Sequence, residues 1–477
     1  MTNINSKYAS ITSLYTLVSL ILYLCLNFLK LDNYQASQKI IGFVVILQIT
    51  LTFIAFLMLK IEFLSLSGSF VWLNYLFHLS QPIIKAVSPQ YDFAFDVSIY
   101  VFPATYLESL KYSYLMIILV TSGVMFYKCF EKETVYKKYM YSTISLDNLF
   151  KIGSIVFSCT FPIEMYIQIN RILVARNSGY LATFEVEVSG LISLLATFSL
   201  IGMVMMLLGS KHHFLRGNIL TGFYLLFYII AMFSGGRMWQ VIKILLILYY
   251  YIKTYDIKIK GKNLILIVVI GYLGAGFMSA VADFRAYDVQ SSDYILQIIS
   301  NVFVNNPILQ IMEEFGGSVY TVALTIQKTV FELPVSFGKQ FLTNFVSLVP
   351  NLSYKISEIL DRSNYVLLLK MPNIGGSFVG EIYYSFKYFA IFPAFLIGFI
   401  LQYFTTKIEN GIKNTDFHFI IYTIMFQYSV VSWVRGSSAI FYRNTIFGMI
   451  FIYVITKILV RQIPLKELGE EKKGLET

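Results

Sequence analysis

The stretch Ile40–Met58, IIGFVVILQITLTFIAFLM, runs for nineteen residues without a charge. About 18 predominantly apolar residues carry a helix through a hydrocarbon core of about 30 Å, so the segment is read as membrane-spanning. Runs of the same kind recur along the chain. Together they place twelve expected spans: Ile11–Phe28, Ile40–Met58, Phe63–Leu79, Tyr112–Tyr127, Ile152–Ile169, Gly190–Leu208, Asn218–Phe233, Met238–Ile252, Asn263–Val281, Tyr388–Phe404, Phe417–Val434 and Thr445–Leu459. The third, eighth and twelfth are the weakest, being short or carrying a charge. Each run is too uniformly apolar for a barrel strand, so the expected fold class is an all-α polytopic membrane protein.

Composition agrees. The 477 residues are 57% hydrophobic and 13% charged, against roughly 25% charged in a soluble domain. That excludes a cytosolic enzyme, a nucleic-acid binder and a disulfide-stapled secreted domain. The net charge of +10 needs no acidic partner, because Lys and Arg accumulate in the cytoplasmic loops of membrane proteins. Cys25, Cys129 and Cys159 show no paired spacing, hence neither a disulfide framework nor a metal site. Ile11–Phe28 is too long for a signal core, and Tyr23, Leu24 and Asn27 stand where a cleavage site wants small residues, so the first span is retained.

Lysines set the expected orientation. Lys128, Lys132, Lys137, Lys138 and Lys151 follow span four; Lys253, Lys258, Lys260 and Lys262 follow span eight; Lys466, Lys472 and Lys473 lie in the tail. Counting alternate sides puts all three groups, and both termini, in the cytoplasm. The connector Asp283–Lys387 then lies outside. At 105 residues it is too long to be structureless. Tyr294–Phe303 and Pro307–Phe315 show helical apolar spacing, Gly316-Gly317 breaks the run, and a further helical pattern starts at Ser318. The chain thus divides into residues 1–282 with nine spans, 283–387 as an external loop with amphipathic helices, and 388–477 with three spans and the tail.

The external side is rich in arginine: Arg171, Arg176, Arg237, Arg285, Arg362, Arg435 and Arg443. Lysine would serve solubility as well, whereas the guanidinium fork holds phosphate oxygens through paired hydrogen bonds. A lipid-linked phosphate or pyrophosphate ligand is the expectation. The plainer alternative is snorkelling, or pairing with Glu185, Glu187, Asp283, Glu313 and Glu314. Within Ser234-Gly235-Gly236-Arg237-Met238 the glycines permit a tight reversal that keeps Arg237 at a helix start. The segment Pro372-Asn373-Ile374-Gly375-Gly376-Ser377-Phe378-Val379-Gly380-Glu381 precedes span ten. Its Glu381 is either a general base or the partner of an external arginine, and its Asn373 joins the arginines as a candidate ligand-binding residue. Glu164 in span five is either intramembrane and functional or interfacial. Gly271, Ala275 and Ser279 in span nine are explained by helix packing. His78 is the one histidine on the external side; His212, His213 and His418 are cytoplasmic. No Walker loop and no Asp-x-Asp pair occur, so neither a nucleotide energy source nor another cofactor is expected.

These features together resemble the Wzy-type O-antigen or oligosaccharide repeat-unit polymerases, integral-membrane glycosyltransferases with a long external loop in the second half. Ser234-Gly235-Gly236-Arg237 is similar to the family's small-residue–Arg turn. Phe337-Gly338-Lys339-Gln340-Phe341 through Leu348-Val349-Pro350 is similar to its loop segment, and Gly375-Gly376-Ser377 through Gly380-Glu381-Ile382-Tyr383-Tyr384 to its small-residue–Glu–Tyr approach to the next helix. Phe386-Lys387-Tyr388 departs from the pattern, where members often carry a glycine. The resemblance implies a GT-C-like architecture in a bacterial inner membrane, acting on undecaprenyl-pyrophosphate-linked oligosaccharides beside membrane lipids and a chain-length regulator protein. In the implied chemistry an acceptor hydroxyl attacks the anomeric carbon, arginines stabilise the departing pyrophosphate, and Glu381 takes the proton. Arg237 and Glu381 are then the candidate catalytic residues, with Arg176, Arg285, Arg362, Arg435, Arg443 and Asn373 as substrate-binding candidates and no metal. A lipid-linked oligosaccharide flippase, an O-antigen ligase and a membrane O-acyltransferase are the alternatives.

Overall fold

A computed structural model describes residues 5–28, 33–131, 145–178, 181–184, 186, 188–234, 237–257, 271–277, 306–346, 348, 365–371 and 374–462. Regular structure among them is helical throughout. The long helices are α1 Ser6–Asn27, α2 Tyr34–Leu59, α3 Leu66–Val87, α4 Pro103–Phe130, α5 Leu146–Ser178, α6 Gly190–Thr197 continued by α7 Ser199–Gly209, α8 Phe214–Ala231 and α9 Arg237–Thr254. The later chain contributes α10 Pro307–Gly316, α11 Val319–Phe331, α12 Lys339–Val346, α13 Phe378–Phe386, α14 Ile391–Lys413, α15 His418–Trp433 and α16 Ser438–Gln462.

Local chemistry sets the ends. Asn5, Asn33, Ser65 and Ser377 cap α1, α2, α3 and α13, each accepting a backbone N–H of its first turn. Pro103 opens α4, where its missing N–H costs nothing. Lys60 ends α2 in the left-handed region at φ 55°.

Eight helices among the described residues are long and apolar enough to cross a membrane. Helices also stand at the third, eighth and eleventh expected spans (α3, α9, α15); the ninth is described only over residues 271–277. The protein is a polytopic, all-helical membrane protein. Several helices outrun the uncharged runs that announced them. The 33 residues of α5 extend about 50 Å at 1.5 Å per residue, well beyond a hydrocarbon core. Around Gly316-Gly317 one helix stops and the next begins. Tyr294–Phe303 lies outside the described residues.

The centre of the bundle is α4, whose apolar window is 89% buried, while those of α1 and α16 are 22% buried. Leu14, Phe53, Leu226 and Phe392 stand outward, as lipid-facing side chains do. Where α4 meets α14, Gly123 and Gly398 leave no room for a side chain. A Cβ on Gly398 would lie 1.9 Å from the Val120 carbonyl oxygen, and one on Gly123 would lie 2.0 Å from that of Phe395. Interior polar groups bind one another: Gln48 Nε2 donates to Tyr15 (2.9 Å) and Ser19 (2.8 Å), and Gln48 Oε1 accepts from Tyr114 (2.7 Å).

The bundle has two distinct ends. At one, Lys253 at the close of α9 pairs with Glu62 in the α2–α3 turn and lies 3.6 Å from Glu409 near the close of α14. At the other, α10 and α11 pack over the outer turns of α3 and α4. We call this second one the loop end.

Candidate active site at the loop end

Two arginines separated by almost two hundred residues lie on either side of the contact between α10 and Phe77 of α3, in the chain of neighbours Arg237–Glu314, Phe315–Phe77 and Phe77–Arg435. Arg237 opens α9, is 2% exposed, and its guanidinium pairs with Glu314 in the last turn of α10. The next residue, Phe315, packs on Phe77 of α3 with ring centroids 5.1 Å apart. Arg435 stands over that same Phe77 ring at 5.8 Å. The plainer alternative read from the sequence, pairing of an arginine with a loop carboxylate, is seen at Arg237.

What fixes α10 in place is its other carboxylate. Glu313 accepts from Tyr91 OH at 2.8 Å and from the Phe95 backbone N–H at 3.1 Å. Burial first, and then Glu313 itself, push the Tyr91 phenol well above its ordinary range, so it remains a donor to that carboxylate. Gly316 rests against Ser80 and Gln81 of α3. Neighbouring glutamates thus divide the work: one moors the helix, and the other faces Arg237.

Arg435 sits in the α15–α16 turn, and that turn is held from below by Glu381. Glu381 is wholly buried in the first turns of α13. Its Oε2 accepts from Trp433 Nε1 at 2.6 Å and from the Ser438 backbone N–H at 2.9 Å; its Oε1 accepts from Ser438 Oγ at 2.6 Å and from Asn344 Nδ2 at 3.3 Å. Trp433 and Ser438 are the two ends of the turn that carries Arg435. Ser438 is also the first residue of α16, so the carboxylate lies at a helix N-terminus, where negative charge is favoured. Phe378 N–H bonds to the Val434 carbonyl at 3.2 Å. Gly376 permits the approach: a Cβ there would lie 2.2 Å from the Gly436 carbonyl oxygen. Among the described residues, four neutral donors and no arginine meet the two carboxylate oxygens of Glu381.

The two family-like segments flanking this cluster meet. Gln340 and Asn344 of α12 form a ladder (3.2 Å) that leads to Ser438 Oγ at 2.5 Å. Phe341 packs edge-on to Trp433. His78 lies beside the cluster: its Nδ1 bonds to the Asn74 carbonyl, so the ring is protonated there. Its Nε2 accepts from Ser377 Oγ at 2.8 Å.

Other expected residues are placed elsewhere. Arg176 is exposed in the last turn of α5, and Arg443 is exposed in the second turn of α16. Among the described residues neither is bonded to the Arg237–Glu314 pair. Arg285, Arg362 and Asn373 lie outside the described residues.

Glu164 is buried, and it has a partner that sequence reading missed. Lys243, two turns below Arg237 on α9, pairs with Glu164 Oε1, which also accepts from Tyr228 at 2.6 Å; Ser199 Oγ donates to Oε2. Lys243 Nζ also lies 4.9 Å from the Tyr228 ring. The signal was a single lysine in the otherwise uncharged eighth span, facing a single glutamate in the fifth. Removing either partner strands a charge in hydrocarbon, so Glu164→Gln and Lys243→Met are each expected to cost about 3–5 kcal/mol. The double variant Glu164→Gln/Lys243→Met should recover most of that in membrane abundance and thermal unfolding. A double variant no better than either single one would show that the pair is not the source of the loss.

No curated protein and no solved structure matches the chain. The model of the family described as O-antigen polysaccharide polymerase Wzy matches residues 8–463, nearly its whole length. With eight apolar membrane helices among the described residues and two arginines gathered at one end, the chain belongs to the Wzy family of O-antigen polysaccharide polymerases.

Proposed function

We propose that the protein joins lipid-linked oligosaccharide repeat units at the outer face of a bacterial inner membrane, with both termini in the cytoplasm. The growing glycan moves from its polyprenyl pyrophosphate carrier to a hydroxyl of the incoming unit. The loop end faces outward in this reading, because the lysine-rich connectors close the opposite end. The observation that carries the proposal is the convergence of Arg237 and Arg435 on the α10–Phe77 contact. Pyrophosphate is a good leaving group whose developing charge needs cations more than it needs a proton. Two guanidinium forks at a membrane surface supply them.

Arg237 is the principal group in this mechanism, and Arg435 its neighbour. Glu381 holds the Arg435 turn at both ends. To accept a proton it would first have to release Ser438 or Asn344. Arg176, Arg285, Arg362, Arg443 and Asn373 remain proposed contacts along the glycan or its carrier. A chain-length regulator is a proposed partner.

The test is the surface glycan of a deletion strain. Single repeat units on the lipopolysaccharide core, restored to a long ladder by the wild-type gene, are expected. A core with no glycan at all would mark a ligase, and an unchanged ladder would remove the proposal.

A further inference from the structure

Among the described residues, the carboxylates at and below the loop end face different partners. Glu313 moors α10, Glu381 holds the Arg435 turn, and Glu164 answers Lys243 deep in the bundle. Glu314 is different. Its side chain keeps 31% of its surface exposed although it pairs with a guanidinium that is 2% exposed. A buried arginine awaiting an anionic ligand needs a counter-charge in the meantime, because an isolated charge is costly there. Glu314 supplies that charge from a position that opens to the outside.

We propose that Glu314 is the carboxylate that takes the acceptor hydroxyl's proton, and that donor pyrophosphate, by occupying Arg237, releases it to do so. The proposal rests on the reading that Arg237 holds pyrophosphate. Until the donor arrives, Glu314 is held at the guanidinium. Pyrophosphate offers the fork a better match, with more oxygens and more charge. The displaced carboxylate then stands beside the scissile bond, tethered by an α10 that Glu313 keeps moored. The acceptor oxygen bonds to the anomeric carbon as the bond from that carbon to the pyrophosphate oxygen breaks. The electron pair of that bond leaves on the pyrophosphate beside Arg237, and the acceptor proton passes to a Glu314 oxygen and then to water. In this order the base becomes available only when a donor is seated.

The experiment uses the full-length protein in lipid vesicles with polyprenyl-diphosphate-linked repeat units. Glu314→Gln keeps a hydrogen bond to Arg237 but cannot take a proton. Its kcat is expected to fall about 10²-fold or more, with the donor KM unchanged or lower because a competitor has been weakened. Glu314→Asp should recover part of kcat. An unchanged kcat overturns the proposal. A kcat and donor affinity that fall together overturn it as well, leaving Glu314 a structural counter-ion. Arg237→Lys in the same assay separates the underlying reading: if its donor KM does not rise, the failure lies with Arg237 as the pyrophosphate holder. A measurement on the unsubstituted protein covers a variant that fails to fold. Water-soluble carbodiimide should label Glu314 more when farnesyl diphosphate is present, with the moored Glu313 as the internal reference. Labelling that does not rise also overturns the proposal.

Discussion

Replacing Arg237 by lysine is expected to reduce polymerisation about 10²–10³-fold, the usual effect of losing one donor to a developing oxyanion, while membrane abundance stays normal. Lysine keeps the positive charge, so Glu314 retains a partner and α9 still begins where it does. What disappears is the planar fork that grips two phosphate oxygens at once. The measurement is ladder length per amount of folded protein. A normal ladder from Arg237→Lys would make Arg237 an anchor at the membrane edge. Arg237→Ala is the harsher variant: it strands Glu314 and should lower abundance as well as activity.

Glu381→Gln carries the second large effect. The carboxylate now accepts four bonds, two on each oxygen. An amide turns one oxygen into a donor, and that nitrogen then meets N–H or O–H groups that also donate. Leaving one or two such groups unsatisfied in a wholly buried site costs about 2–4 kcal/mol, visible as a lower unfolding temperature and less protein in the membrane. Polymerisation per folded molecule should also fall, because the turn presenting Arg435 loses its hold. Asp in place of Glu381 would be too short to reach both ends of the turn and should not rescue. A Gln variant with normal stability and a normal ladder would refute the clamp. A fully stable but inactive variant would instead favour the base role first read from the sequence.

The spans were visible in the sequence because hydrocarbon imposes a long uncharged run, and no tertiary context can hide nineteen such residues. The break at Gly316-Gly317 and the helices beside it were equally local. Arg237 could be singled out because its glycines and its helix start are adjacent in the chain. The surroundings of Glu381 could not. Trp433, Ser438 and Asn344 lie 52, 57 and 37 residues from it, and no short pattern records that meeting. Nor could the choice between Glu313 and Glu314 be made from neighbouring letters. It depends on Tyr91 and Phe95, which come from a turn more than two hundred residues away. Lys243 was within reach, since a lone lysine in an apolar run calls for a partner. Its partner is 79 residues earlier. What stays local in the sequence is the membrane's demand; what the site needs is assembled by helix packing.

Reconstitution tests polymerisation by this protein most directly. Purified protein in lipid vesicles, given polyprenyl-diphosphate-linked repeat units and no nucleotide, should yield glycans in multiples of the repeat. One carrier diphosphate should be freed for each linkage formed. Repeat units that cross the bilayer without becoming linked would contradict the account.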